Sequence, residues 1–141
     1  MALSRPEFLA DKSALARLRE PAVAAVLVPL AADGRLATCG VLDLEILYSA
    51  RSHRDFVATR EELAGYPRLD VAQADFDRAV AVMELLARRG QHRAAGLPDL
   101  LLAAVAERHA VTLLHYDPHF DLIAAVTGQP MRWVVARGSA P

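Results

Sequence analysis

Short apolar runs alternate with longer helical patterns along this chain, and no other feature of the sequence constrains its fold as much. FLA (8–10), RLATC (35–39), RLDV (68–71), VTLLHY (111–116) and RWVVA (132–136) read as strands. Between them, SALARLRE (13–20), PAVAAVLVPLAADG (21–34), GVLDLEILYSARS (40–52), HRDFVATREELAGY (53–66), AQADFDRAVAVMELLARRG (72–90), DLLLAAVAERHA (99–110) and PHFDLIAAVTGQ (118–129) read as helices. Pro21 opens one and Gly34 closes it. Phe76, Val80, Met83 and Leu86 recur near helical spacing in theirs. Parallel strands need helical crossovers, and crossovers are what the sequence supplies. The fold class expected is α/β, a sandwich with a mainly parallel central sheet flanked by helices, in a single domain spanning 1–141. Ligands of such folds bind outside the carboxyl ends of the strands.

Two acids stand at those ends. Asp11 follows the first strand and Asp117 follows VTLLHY. Each also fits a helix cap: Asp11 before KSALARLRE, Asp117 before Pro118. Asp99 sits in the first turn of its helix, where a carboxylate complements the dipole. Glu45 lies among Val41, Leu42, Leu44, Ile46, Leu47 and Tyr48, on a helix apolar nearly all round, which predicts burial on most sides. A buried carboxylate needs a cation, a partner or a proton, so a buried pair with an arginine is the competing explanation. Asp43 points roughly the other way on the same helix.

As a set, Asp11, Glu45, Asp99 and Asp117 can converge on one sheet edge. Such a cluster repels itself unless something positive sits inside it. Hard oxygen donors suit Mg²⁺, with Mn²⁺ as a substitute, in the arrangement used for phosphodiester hydrolysis. Basic residues then gain a use. Arg51 and Arg54 follow the helix of Glu45, and Arg88, Arg89 and Arg93 precede Asp99. Each alone fits a solvated face; together they are candidate RNA contacts. Formal net charge is −1, so any nucleic-acid contact is local. Cys39 is the only cysteine, which excludes an internal disulfide and a cysteine-rich zinc site. The N-terminal MALSRPEFLADKSAL lacks the apolar core of a signal peptide, and PAVAAVLVPLAA is short and holds Pro29, so a membrane span is not expected.

In order and surroundings these residues resemble the acidic signature of PIN domains, and most closely the VapC-type toxins of bacterial toxin–antitoxin pairs. LADKSAL is similar to that family's first motif, an Asp with Ser13 two residues on. CGVLDLEILYSARS resembles its Glu-bearing helix, and LPDLLLAAVAERHAVTLLHYDPHFDLIA its third and fourth motifs. The resemblance covers essentially the whole chain. It implies a PIN-like three-layer sandwich and a Mg²⁺-dependent endoribonuclease that restrains growth by cutting tRNA or rRNA. It also implies a homodimer in the bacterial cytoplasm and a VapB-type antitoxin whose C-terminal segment fills a groove and blocks the site. On that model Asp11, Asp99 and Asp117 hold the metal, Glu45 joins directly or through water, and Ser13 positions Asp11 or a water. One position departs: family members often carry an acid two residues after the last Asp, where this chain has His119. That bears on the number of metals. The alternatives are a catalytically inactive PIN-like RNA-binding or interaction module, and a receiver-type signalling domain. The latter expects adjacent acids after the first strand, where this chain has ADKS.

Overall fold

The computed structural model describes residues 5–141. The first four residues of the N-terminal stretch read above for a leader lie outside it. Five strands, β1 (Phe8–Ala10), β2 (Leu36–Cys39), β3 (Arg68–Leu69), β4 (Thr112–His115) and β5 (Met131–Trp133), form one sheet in the order β3-β2-β1-β4-β5. Every pairing is parallel, so the sheet is wholly rather than mainly parallel among the described residues. Among the described residues, seven helices connect and cover it: α1 (Lys12–Leu15), α2 (Pro21–Ala32), α3 (Gly40–Tyr48), α4 (His53–Ala64), α5 (Gln73–Ala87), α6 (Leu97–Arg108) and α7 (His119–Thr127).

The chain runs outward from β1 through β2 to β3, then returns to the other side of β1 with β4 and β5. The order therefore reverses at β1 and β4, the topological switch point where open α/β sheets place their ligands. Ala10 pairs with Leu114, so Asp11 and the residues after His115 emerge side by side. Period-two alternation splits the core between the faces. Leu9 and Leu113 join Leu42, Leu102, Phe120 and Ile123 in one cluster. Ala10 and Leu114 join Val23, Leu27, Leu36 and Val134 in the other. Each large side chain buried this way contributes about 1.5–3 kcal/mol, and together they hold the switch point rigid.

Three local expectations change, and the structure fixes which face α5 buries. Residues 13–20 do not form one helix: α1 stops at Leu15 and a turn follows. Pro21 disfavours helical backbone at Glu20, which takes an extended conformation as the N-cap of α2. The fifth strand is only Met131–Trp133 rather than 132–136. The buried face of α5 is Asp75, Ala79, Val82 and Leu86, whereas Phe76 and Val80 are exposed. Finally, α3 is not enclosed: Leu42 alone is fully buried, and Leu44 and Tyr48 face outward.

Candidate metal centre

Asp11 is the first residue past β1 and is buried. Its backbone N–H donates to Leu114 O at 2.8 Å, continuing the parallel ladder past the last strand residue. Its Oδ2 accepts the Ser13 N–H at 2.9 Å, so Asp11 does cap α1. The other oxygen, Oδ1, is buried with no hydrogen-bond partner. One carboxylate thus serves both as a cap and as an uncommitted ligand. The Ser13 hydroxyl does not reach Asp11; it accepts the Tyr116 N–H at 2.9 Å and ties the end of β4 to α1. The expected positioning of Asp11 by Ser13 is thus done by its main chain.

Glu45 projects from the second turn of α3, and its Oε1 is also buried and unpartnered. No arginine meets it: among the described residues it forms no ion pair, which removes the buried Arg–Glu explanation. Its pKa is raised to about 7, first by burial, then by the charges of Asp11 and Asp99, against a smaller opposing pull from Lys12. Asp99 lies in the first turn of α6 and is raised to about 6, again mainly by burial and then by Asp11 and Asp117, with the Gly96 amide and His119 opposing. Asp43, as expected, faces elsewhere: it accepts the Thr38 hydroxyl at 2.6 Å and pairs with Arg68.

Oxygen atoms of Asp11, Glu45 and Asp99 all lie within 4.8 Å of one another. The set is all oxygen, and two of its buried lone-pair atoms have nothing to accept from. Such a donor set is compatible with a divalent cation, and oxygen ligands suit a hard one. Asp117 is not in this tightest group, although it acts on Asp99 from beside it. Its Oδ1 accepts the His119 N–H at 2.9 Å and lies 3.1 Å from His119 Nδ1. Pro118 is the N-cap of α7, and Asp117, one residue earlier, holds the first N–H of the helix; its second oxygen makes no hydrogen bond among the described residues.

The two histidines beside Asp117 have different surroundings. His115 is fully buried between Phe120 and Trp133, with ring centroids 5.0 Å from each, and its Nδ1 accepts the Asp117 N–H at 3.3 Å. Burial lowers its pKa, against the opposing charges of Asp121, Asp11 and Asp117. Arg51, Arg54, Arg88, Arg89 and Arg93 are all exposed, and Arg88 is partly engaged with Glu84 at 3.5 Å. Lys12 is the basic residue absent from the sequence reading. Its ammonium reaches the Ser49 hydroxyl at 2.6 Å, on the flank of Glu45. Its adjacency to Asp11 was the one signal available.

Beside the carboxylates, α1, α3 and α4 enclose an apolar groove of about 400 Å³, lined by Leu15, Leu18, Leu42, Ile46, Leu63 and Tyr66, with Lys12 also on its wall.

Residues 9–126 match the family model described as PIN domain. The chain is 41% identical over 133 residues to Ribonuclease VapC51 of Mycobacterium tuberculosis, covering 94% of this chain and 96% of that protein. It is 44% identical over 136 residues to Ribonuclease VapC21 of the same species, covering 94% and 97%. Among solved structures it resembles the DNA-bound VapBC of Salmonella typhimurium, with a TM-score of 0.74 at 14% identity over 93% of this chain and 100% of that one. It also resembles VapBC-5 of M. tuberculosis, with a TM-score of 0.65 at 23% identity, covering 91% and 99%. At those identities the likeness is one of fold.

Proposed function

The chain belongs to the PIN domain family, and on that premise we propose that it is a divalent-metal-dependent endoribonuclease, the toxin of a type II toxin–antitoxin pair. The observation that carries this reading is the convergence of Asp11, Glu45 and Asp99 within 4.8 Å, two of them with buried oxygens that accept no hydrogen bond. The names of its relatives, ribonucleases at 41% and 44% identity, support the same activity.

In this reading Asp11 and Asp99 hold Mg²⁺, or Mn²⁺ in its place. Glu45 binds directly or through water, and Asp117 completes the set with the oxygen that His119 leaves free. A cation so held lowers the pKa of a coordinated water and offsets charge on the phosphoryl oxygens. The chain's own part is geometric. β1 and β4 fix Asp11 and Asp117 at the switch point, and the rigid helices α3 and α6 bring Glu45 and Asp99 to meet them. The scissile phosphate can then approach only from the open side above the sheet edge. Arg51, Arg54, Arg88, Arg89 and Arg93 are the candidate contacts to flanking RNA. His119 in place of an acid argues for one strongly held metal and a weaker second.

The partner in this reading is a VapB-type antitoxin. The two solved structures of matching fold named above are both VapBC by name, one of them a member of a family of toxin–antitoxin systems. The apolar groove between α1, α3 and α4 is suited to an amphipathic segment of such a partner. A homodimer acting on tRNA or rRNA in the bacterial cytoplasm and arresting growth completes the reading. No helix of the described residues is long and apolar enough to cross a membrane.

The test is RNA cleavage by wild type, Asp11→Asn and Asp99→Asn with Mg²⁺, Mn²⁺ or chelator. Even outer-shell changes at metal sites cost ~10–100-fold, so each variant should lose more than ~100-fold. Equal cleavage by all three proteins would end the assignment. Retained RNA affinity without Mg²⁺ or Mn²⁺ binding would favour an inactive RNA-binding module.

A further inference from the structure

The charge at the centre does not balance with a metal alone. Asp11, Glu45 and Asp99 converge, and Asp117 lies near enough to act on Asp99. Fully ionised, these side chains carry four negative charges, and one divalent cation offsets two. An RNA phosphodiester brings another negative charge to the same place. A substrate held there needs a further cation, and the structure offers a lysine beside the carboxylates. His119 is already committed to Asp117 at 3.1 Å. Lys12 is not committed: among the described residues it forms no ion pair.

The main chain of Lys12 is fixed by its neighbours, since Asp11 N–H donates to Leu114 O and Lys12 O accepts the Ala16 N–H, both at 2.8 Å. Its ammonium is fixed at the far end by the Ser49 hydroxyl at 2.6 Å, at the C-cap of the helix that carries Glu45. The carboxyl end of a helix favours a cation. An ammonium has three N–H donors; Ser49 takes one, and it is neutral. The group is therefore placed beside the carboxylates with donors and charge unspent.

We propose that Lys12 is a further catalytic residue, whose ammonium holds a non-bridging oxygen of the RNA phosphate at the carboxylate centre. This rests on the endoribonuclease reading of the same site. The Ser49 contact parks the side chain, and a phosphate oxygen replaces or shares that hydroxyl.

The experiment separates a phosphate contact from a counterion to Glu45. Binding of a labelled mixed-sequence single-stranded RNA is measured in the Asp99→Asn chain, with and without Lys12→Met, between about 50 and 300 mM KCl. Each phosphate contact to a single strand contributes ~0.7 to the slope of log affinity against log salt. Lys12→Met should flatten the slope by about that amount, and Lys12→Arg should preserve it. In the chain with Asp99 intact, Lys12→Met should bind Mn²⁺ at least as tightly as wild type and cleave RNA at least ~10-fold more slowly. Lys12 is only half-buried, so the fold should tolerate the change; Lys12→Gln provides a second neutral variant. An unchanged slope in both neutral variants overturns the proposal. So does a weakened Mn²⁺ affinity that accounts for the whole loss of cleavage. Failure of the wild type to bind Mn²⁺ or cleave RNA would instead overturn the nuclease reading, and the slope measured without cleavage tells the two failures apart.

Discussion

Glu45 and Asp99 retain protons at pH values where ordinary carboxylates have lost them, up to about 7 and about 6, because they are buried beside other acids. In the unfolded chain both ionise near the usual carboxylate values. Between those values and 6–7 the folded state binds more protons than the unfolded state, so its stability falls as pH rises through that window. A metal-free preparation should therefore melt lower at pH ~7.5 than at pH ~5, and Mn²⁺ should raise the melting temperature more at the higher pH. Asp99→Asn removes one repelling charge. In chelator at neutral pH it should melt a few degrees higher than wild type, which is ~1 kcal/mol for a domain of this size, while losing most of the Mn²⁺-dependent gain. A variant less stable than wild type under those conditions would show that the cluster is not under strain. The same residues illustrate what a single sequence reveals. Asp11, Glu45 and Asp99 were legible because each has an unusual local setting: a strand end, an apolar helix, a first turn beside proline. Lys12 was not, because a lysine on a short helix has no local anomaly. Its meaning depends on Ser49 and Glu45, far along the chain.

At the scale of elements, α5 shows why hydrophobic spacing misplaces a face. Phe76, Val80, Met83 and Leu86 form a plausible apolar stripe, yet the helix turns Asp75, Ala79, Val82 and Leu86 inward. The cause is a carboxylate. Asp75 is 1% exposed; its Oδ2 accepts the Ala72 N–H at 2.9 Å, and its two oxygens receive Arg108 Nε at 2.8 Å and Nη2 at 3.0 Å. The helix is thus capped and clasped to α6 by a polar residue that a hydrophobic pattern assigns to the surface, and its partner lies one helix further along the chain. Burial alone would raise the Asp75 pKa, but the Arg108 guanidinium and the Ala72 amide outweigh it and hold the carboxyl below its usual value. Its contribution to stability is therefore present above the unfolded carboxylate value and is lost as pH falls through the lower folded one. Removing one partner of a fully buried pair costs ~3–5 kcal/mol. Arg108 is 35% exposed and can turn to solvent, so Asp75→Ala should cost about 2–3 kcal/mol at pH 7 and much less at pH 3. Urea unfolding at the two pH values measures this; an equal cost at both would mean that the packing of α5, not the charge, is responsible.

For the molecule as a whole, the parallel sheet is what turns separate acids into a centre. Five parallel strands direct all their carboxyl ends to one edge, and the reversal of order between β1 and β4 opens the crevice there. Alternating strands and helices made that architecture readable from the sequence. The apolar groove was not readable, because its walls come from α1, α3 and α4 and no single segment of sequence announces it. Its position has a consequence for regulation. Lys12 and Ser49 lie on its wall, so a peptide seated in it ends beside the carboxylates without having to enter them. Occupancy and catalysis should then be separable by mutation in the apolar wall of the groove, away from Lys12 and Ser49. Leu18 lines the groove and is 41% exposed. Leu18→Glu places a charge against an apolar ligand while leaving the acids and the fold intact. It should weaken binding of a VapB-type C-terminal peptide at least ~10-fold, or ~1.4 kcal/mol, with melting temperature and RNA cleavage near wild type. If cleavage by this variant also becomes resistant to inhibition by the peptide, the groove is the route by which an antitoxin controls the centre. If affinity and inhibition are unchanged, the partner binds elsewhere, and the apolar walls between α1, α3 and α4 serve only the packing of those helices.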